Sequence, residues 1–435
     1  MDFHFRYNRR RIPVIMSAGI LILFLIFSGF SRLMAQSEPG GLLDLSKCIE
    51  LGLQNNPGFQ SSKYMIDETK ARVDEAFSGY YPTLTANSDA DAYSKNNGSQ
   101  RYENLNAGVS LSYNIYQGNK LKSTWGASKD NYQATLYQHE TNRQDLIFRI
   151  IQAYYLTLQS ERILKSAEEA LKNSRLHLEF ALAKFNAGMA TRSDILKSEV
   201  EASNADLNRI KSVNALLAAR GNLNQLLGLS SDSETALVDD LSEINHSDIQ
   251  SFDYLVNEAL DSRNEIKKYG SLLSAQQKYI TVAKSGYYPS LSANANYNFA
   301  GPAVSSMQEN WWLGMSLSMP LFKGFSTRSR VVQEESAFKG LEMDYEQLKQ
   351  QINREVWNAW LAVKESVERI SASAKALESA RENLSLAEGE YKEGVGSVIQ
   401  LTDAQTTFVT AEQNYILALS GYKISYAELE RTTGR

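Results

Sequence analysis

The stretch Ser78-Gly79-Tyr80-Tyr81-Pro82-Thr83-Leu84-Thr85-Ala86-Asn87 returns almost unchanged as Ser285-Gly286-Tyr287-Tyr288-Pro289-Ser290-Leu291-Ser292-Ala293-Asn294. A chain that repeats such a segment is built of two similar halves, and the segment fixes what each half contains. Ahead of it the apolar spacing is helical. The proline then ends the helix, because it lacks an amide donor and excludes the preceding residue from the α region. Behind it the pattern alternates: Leu291, Ala293, Ala295, Tyr297 and Phe299 point one way, and Ser290, Ser292, Asn294, Asn296 and Asn298 the other. That is a strand of roughly ten residues with one apolar face, long enough to cross an outer membrane.

The start of the chain has a different character. Arg9-Arg10-Arg11, an apolar run from Ile20 to Phe27 and the sequence Ser31-Arg32-Leu33-Met34-Ala35-Gln36 predict a secretory signal peptide over residues 1–35. The segment is basic, so its removal leaves a chain more acidic than the precursor's formal charge of −5, and nucleic acid is excluded as an expected partner. Cys48 is the only thiol, so an exported chain must be held by packing or assembly rather than by internal disulfides. After the signal segment no run of about 18 apolar residues occurs; if the chain spans a membrane, strands must do it.

The expected order is a first repeat over 36–228, a surface connector over 229–253 and a second repeat over 254–435, each repeat reading helix, β-hairpin, long helix, return helix. The lead-in helices are Leu42 to Tyr80, interrupted early by Pro57, and Phe252 to Tyr288. The first hairpin pairs a strand from Thr83 to Tyr93 with one carrying Leu105, Ala107, Val109, Leu111, Tyr113 and Ile115 on one face, across a polar turn from Lys95 to Arg101. The second carries Trp311, Leu313, Met315, Leu317, Met319 and Leu321 opposite Gly314, Ser316 and Ser318, with Pro320 read as an edge or bulge marker. Gly118 and Gly324 each open a proline-free segment of about 70 residues, near 100 Å as a helix. These end at Phe185-Asn186-Ala187-Gly188-Met189-Ala190 and Tyr391-Lys392-Glu393-Gly394-Val395-Gly396, separated by nearly the same interval as the strands. The return helices are half as long, and the lengths balance if each lead-in helix stacks end to end on a return helix.

Four strands cannot close a barrel, and lipid tolerates no open sheet edge. Several chains must share one barrel: two give about eight strands and a filled interior, three give about twelve and a water-filled bore. The polar Ser, Asn and Gly faces favour the wider barrel. Here the chain resembles the outer membrane efflux protein family, the TolC-like channels, across essentially its whole mature length. The resemblance rests on the two Gly-Tyr-Tyr-Pro junctions, on the aromatic, two residues, glycine turns at Phe185 to Gly188 and Tyr391 to Gly394, on the acidic residue after the first turn, Asp194, and on the opening Leu45 to Pro57. The second half has Gln400 where the acid is usual. The resemblance implies a mixed fold, a membrane β-barrel plus a long α-helical barrel. A homotrimer would form the 12-stranded barrel in the cell outer membrane and a coiled-coil tunnel in the periplasm. Its partners would be outer-membrane lipid, a periplasmic adaptor (membrane fusion) protein and an inner-membrane pump of RND, ABC or MFS type.

Site residues follow. Gly188 and Gly394 suit left-handed turn positions, and the resemblance implies docking of the adaptor there with Met189, Ala190 and Val395. Gln400 and Asp403 lie one turn apart on one helix face that, by family position, borders the periplasmic mouth, where rings of carboxylates would select cations. Tyr391 resembles the tyrosine that holds the mouth closed through the residues matching Ser193 and Asp194. The family's basic partner falls at Gly396, with Arg192 as a substitute. Core packing explains Tyr391 equally well. Tyr80, Tyr81, Tyr287, Tyr288 and Trp311, at strand ends, suit an aromatic membrane girdle.

No catalytic constellation is legible. His139, His177 and His246 stand isolated, no pair has metal-ligand spacing, and Gly394-Val395-Gly396 lacks the strand and third glycine of a nucleotide loop. No cofactor is expected and the chain is read as no enzyme. The expected function is a passive export duct in a tripartite efflux pump or type I secretion system. The alternatives are a structural coiled-coil scaffold, which the proline-launched alternating strands oppose, and a secreted enzyme, for which no residues stand.

Overall fold

A computed structural model of the chain describes residues 42–94, 101–242 and 250–435. The expected signal peptide, His246 and most of the Lys95 to Arg101 turn lie outside these residues. The elements run α1 (Leu45–Asn55), α2 (Pro57–Ser78), β1 (Thr83–Ser94), β2 (Arg101–Gln117), α3 (Lys120–Asn186) and α4 (Arg192–Leu227), then α5 (Phe252–Ser262), α6 (Asn264–Lys284), β3 (Ser290–Gly301), β4 (Gln308–Ser318), α7 (Ser326–Glu393) and α8 (Val398–Thr433).

The four strands form one antiparallel sheet in the order β1-β2-β3-β4. Residues directly opposite in an antiparallel pair share a face, so the register decides what each face carries. Leu84 faces Leu111, Ala86 faces Val109, Val109 faces Tyr297, Leu111 faces Ala295, Tyr297 faces Trp311, and Ala293 faces Met315. The apolar residues of all four strands therefore merge into one continuous surface. It is solvent-facing in the single chain, with Leu313 73 % and Leu317 71 % exposed. The other face carries Asn106, Ser110 and Ser112 of β2 beside Asn298, Asn296 and Asn294 of β3. One detail departs from simple alternation. The β2–β3 register shifts between Asn114 and Tyr116, so Tyr116 rather than Ile115 opposes Leu291 at the helix-side end of the apolar face. Pro320, expected to mark an edge or bulge, lies beyond β4, and the bulge is in β2.

Each hairpin hands over to a long helix through two consecutive left-handed residues: Gly118 (φ 59°) with Asn119 (φ 66°), and Gly324 (φ 59°) with Phe325 (φ 63°). Asparagine tolerates this conformation and phenylalanine does not, at a cost of about 1–2 kcal/mol. The repeat imposes the geometry where the residue type does not favour it. The helices α3 and α7 have 67 and 68 residues, about 100 Å each. Ile352, Val356, Ala359, Val363 and Ser366 of α7 are buried at alternating spacings of four and three, the period of a coiled-coil seam. Ala167, Leu171, Ser174 and Ala181 of α3 follow the same rule. The small seam residues let the helices of α3–α4 and α7–α8 approach closely.

The lead-in helices are each broken in two, which the sequence showed once. In the first repeat Asn56 caps α2, its side chain accepting from the Phe59 amide at 3.1 Å, and Pro57 takes the first helical position. In the second, no proline marks the break at Arg263, read as mid-helix. Its backbone is extended, and its buried guanidinium pairs with Glu265 and Glu355, both at 2.6 Å. Each break receives the end of a return helix. The Asn56 amide donates to Leu226 O at 3.1 Å, and Ser262 Oγ to Thr433 O at 2.6 Å. Thus α2 abuts α4 and α6 abuts α8, while α1 and α5 pack alongside. The stretch from 229, expected as a surface connector, is not all surface. Leu237 pairs with Leu43 in a parallel bridge, and Leu237 and Leu241 close a core of Cys48, Ile150, Tyr154, Leu158 and Leu223.

At the far end from the sheet each hairpin reverses through a left-handed glycine and restarts in a reciprocal capping box. Thr191 N donates to Asp194 Oδ2 at 2.9 Å, and Asp194 N to Thr191 Oγ1 at 3.3 Å. Ser397 N donates to Gln400 Oε1 at 2.9 Å, and Gln400 N to Ser397 Oγ at 3.3 Å. Hydrogen bonds from Thr191 hold the Asp194 carboxyl below its ordinary range. A depressed folded value means that the cap's full contribution is present above that range and is lost as the pH falls through it, near 4 and below. Replacing Asp194 by Ala is expected to speed amide exchange over residues 187–194 severalfold at neutral pH. The wild type should match the variant only in acid. Equal protection of the two proteins at neutral pH would show that the cap does not hold the turn.

Candidate functional site

The two turns form the tip of the helical part. Gly188 and Gly394 have φ of 74° and 81°, and neither has an atom within 4 Å of where a Cβ would stand. Glycine is thus required by the backbone and not by crowding. Gly188 N donates to Phe185 O and Met189 N to Lys184 O; Val395 N and Gly396 N both donate to Glu390 O. Met189 is 72 % and Val395 80 % exposed. Ala190, expected beside them on the surface, is half-buried, because the chain is already turning into the α4 cap.

Asp194 and Ser193 do not hydrogen-bond to Tyr391. Asp194 is committed to Thr191, and Ser193 is exposed. The Tyr391 ring is buried among Leu384, Val398, Leu401 and Ala404, and its hydroxyl has no hydrogen-bond partner. Burial, and to a lesser degree the nearby Asp194 carboxylate, push that hydroxyl above the ordinary tyrosine value. One tie across the two hairpins at this level comes from Lys184 of α3. Its Nζ donates to the Tyr391 carbonyl oxygen and lies 4.1 Å over the ring centroid. Sequence reading missed Lys184, since a backbone acceptor leaves no trace in residue types.

Gln400 is exposed, but its amide is turned back onto Ser397. Asp403 is exposed on the next turn and borders a groove of about 440 Å³ between α4 and α8, together with Ser193, Leu196, Lys197, Val200 and Ile399. The groove walls are apolar and open, with Leu196 52 %, Val200 59 % and Ile399 51 % exposed.

At the opposite end, Tyr80, Tyr81, Tyr287 and Tyr288 lie where helices meet strands. Tyr81, Tyr287 and Tyr288 are exposed, while Tyr80 is half-buried against Phe77 and Trp125. Trp311 was expected at a strand end and lies inside β4, opposite Tyr297. The level of that pair is nine residues along the chain from Tyr288, roughly 30 Å of extended strand, the scale of an outer-membrane apolar band.

Cys48 and His139 are otherwise occupied. Burial, with the Asp44 carboxylate adding to it, pushes the Cys48 thiol up to about 12, which leaves no thiolate at neutral pH. His139 stacks on Phe59 at 4.7 Å and shares a 2.6 Å hydrogen bond with Ser62. Among the described residues no helix is long and apolar enough to cross a membrane and no three His, Cys, Asp or Glu gather as metal ligands.

The comparison with known proteins fits this geometry. Residues 48–229 and 255–435 match the family described as outer membrane efflux protein. The chain is 24 % identical to outer membrane protein TolC of Escherichia coli (strain K12), over 95 % of this chain and 85 % of that protein. Its fold matches a solved structure of CusC with a TM-score of 0.80 at 20 % identity, covering 90 % of this chain and 92 % of that one. It also matches the CmeC outer membrane channel of Campylobacter jejuni, with a TM-score of 0.80 at 17 % identity, covering 90 % and 85 %. A sheet with one apolar face, carried on helices of about 100 Å and matched by the family over both halves, makes this chain a member of the outer membrane efflux protein family, an export duct of the cell outer membrane with its helices in the periplasm.

Proposed function

We propose that the duct is a homotrimer that docks through its helical tip onto a periplasmic adaptor protein, which links it to an inner-membrane pump. The observation that carries the assembly is the sheet itself. Its outer strands β1 and β4 each leave one edge unpaired beside a continuous exposed apolar face, and lipid cannot satisfy those edge amides and carbonyls. Pairing β4 of one copy with β1 of the next closes twelve strands around a polar bore. The long helices, stacked in the same order, continue the bore as a periplasmic tunnel. The tip supports the docking reading because Met189 and Val395 project from it and the groove lined by Leu196, Val200 and Ile399 adjoins them. An exposed apolar surface rimmed by polar residues marks a protein contact. The pump, of RND, ABC or MFS type, sets the cargo.

Three outcomes test these assignments. Mass measurement in detergent is expected to give three chains per particle, and a stable monomer with native β content would overturn the assembly. Leu in place of Gly188 or Gly394 meets no neighbouring atom but strains the left-handed backbone by about 1–2 kcal/mol, a local cost at which trimers should still insert, yet export should fall to the level of a null strain. Normal export from these variants would move docking elsewhere. Asp403, exposed one turn beyond Gln400, is assigned to the mouth as a ring of three carboxylates. Asp403→Asn is expected to lower cation-over-anion selectivity in planar bilayers, most strongly at about 0.01 M salt, where the screening length is near 30 Å. Unchanged selectivity there would place Asp403 on the docking groove alone.

A further inference from the structure

The polar face of the sheet, which the proposed assembly turns toward the bore, carries one large aromatic residue in mid-strand. Thr85 of β1 stands opposite Ser110 of β2, Ser110 opposite Asn296 of β3, and Asn296 opposite Trp312 of β4. Opposed residues share a face, and so do residues two apart on one strand. Asn310, Gly314 and Ser316 therefore flank Trp312 on this side, while Trp311 lies on the apolar side. Trp312 is 51 % exposed. An indole is a large apolar surface, and on this side of the sheet neither lipid nor a packed core covers it. Its six-membered ring leans over Gly314: a Cβ on that glycine would stand 3.2 Å from Trp312 Cζ3 and 3.5 Å from Cε3. The ring thus lies along the wall over a residue without a side chain and leaves a π-face open to the bore.

The charge on the same face has one sign. Asp89 and Asp91 of β1 stand opposite Asn106 and Asn104, four and six residues beyond Thr85 along the strand, and both are exposed. Among the described strand residues no lysine or arginine shares that face.

We propose that Trp312 is a stacking site inside the bore for planar organic cations in transit. This rests on the reading of the chain as a homotrimeric export duct, which sets three copies of Trp312 at one level. The face of an indole attracts a cation through the ring quadrupole and stacks on another flat apolar group. Carboxylates on a water-filled wall raise the local concentration of cations. A compact hydrated cation gains only from the carboxylates, and a planar anion is repelled by them. The class that gains from both is planar and positively charged. A single open face releases such a ligand again, as conduction requires.

The test measures block of single-channel current in planar bilayers, with purified full-length protein, by proflavine, a planar cation, and by tetraethylammonium, a cation without a flat face. Proflavine is expected to block the wild type at the lower concentration. Trp312→Ser should raise the half-blocking concentration of proflavine about tenfold, the scale of one lost stacking contact, and leave that of tetraethylammonium unchanged. Trp312→Phe, which keeps a ring, should retain most of the block, and Trp311→Ser, on the lipid side, all of it. Asp89→Asn with Asp91→Asn should weaken block by both cations at about 0.01 M salt and not at about 1 M, where the screening length is near 3 Å. Wild-type channels equally sensitive to the two cations, or a Trp312→Ser channel as sensitive to proflavine as the wild type, overturn the site. Trp312→Leu keeps an apolar residue on the edge strand and carries the same expectation if the serine variant does not assemble. If the wild type does not conduct, the duct reading fails, and titration of proflavine fluorescence with the same proteins decides the site separately. Binding lost in Trp312→Ser supports it, and binding unchanged overturns it.

Discussion

Hydrocarbon offers no hydrogen bonds, and that single fact governs the rest of this structure. A backbone amide left open in lipid costs several kcal/mol, and the sheet presents a row of such groups on β1 and another on β4. The apolar face made by Leu84, Val109, Tyr297, Leu313 and Leu317 equally requires lipid around it. One requirement places the sheet in the membrane, and the other forbids it to be there alone. The duplicated architecture is an economical answer: each half supplies one hairpin, the halves pair through β2 and β3, and in the proposed assembly copies of the chain supply the remaining strands.

Much of this was legible because it is written in periodicity and in special residues. Proline after Tyr-Tyr, alternation behind it, two proline-free runs of about 70 residues and two glycines at matching places each have a local physical cause. The strand and helix limits in the structure follow them within a few residues. The features that escaped depend on groups far apart in sequence. The break at Arg263 carries no proline or glycine; the end of α8 pressing on Ser262 and the buried pairing with Glu265 and Glu355 make it. The connector appeared polar, yet Leu237 and Leu241 find a core shaped by α1 and α3.

The site was legible in position and less so in role. The capping pattern at Thr191 and Asp194 was present in the sequence, and it claims the carboxylate that family likeness assigned to Tyr391. The same holds for Ser397 and Gln400, where an amide does the capping work of an acid. This explains how Gln can stand at that place without loss of the turn. His177 looked isolated because its partner lies on the next helix. Only packing brings it within 3.7 Å of Glu201 of α4.

The four helical columns of one chain are not mechanically alike. Two of them, α3 and α7, run unbroken from the tip to the strands, so a rotation at the tip is carried as in a solid shaft to Gly118 and Gly324. The other two are jointed at mid-height, where α4 ends against Asn56 and α8 against Ser262 and Arg263. Torque on those columns stops at a butt joint held by caps and side-chain hydrogen bonds. The chain therefore combines two continuous columns with two that are jointed at mid-height.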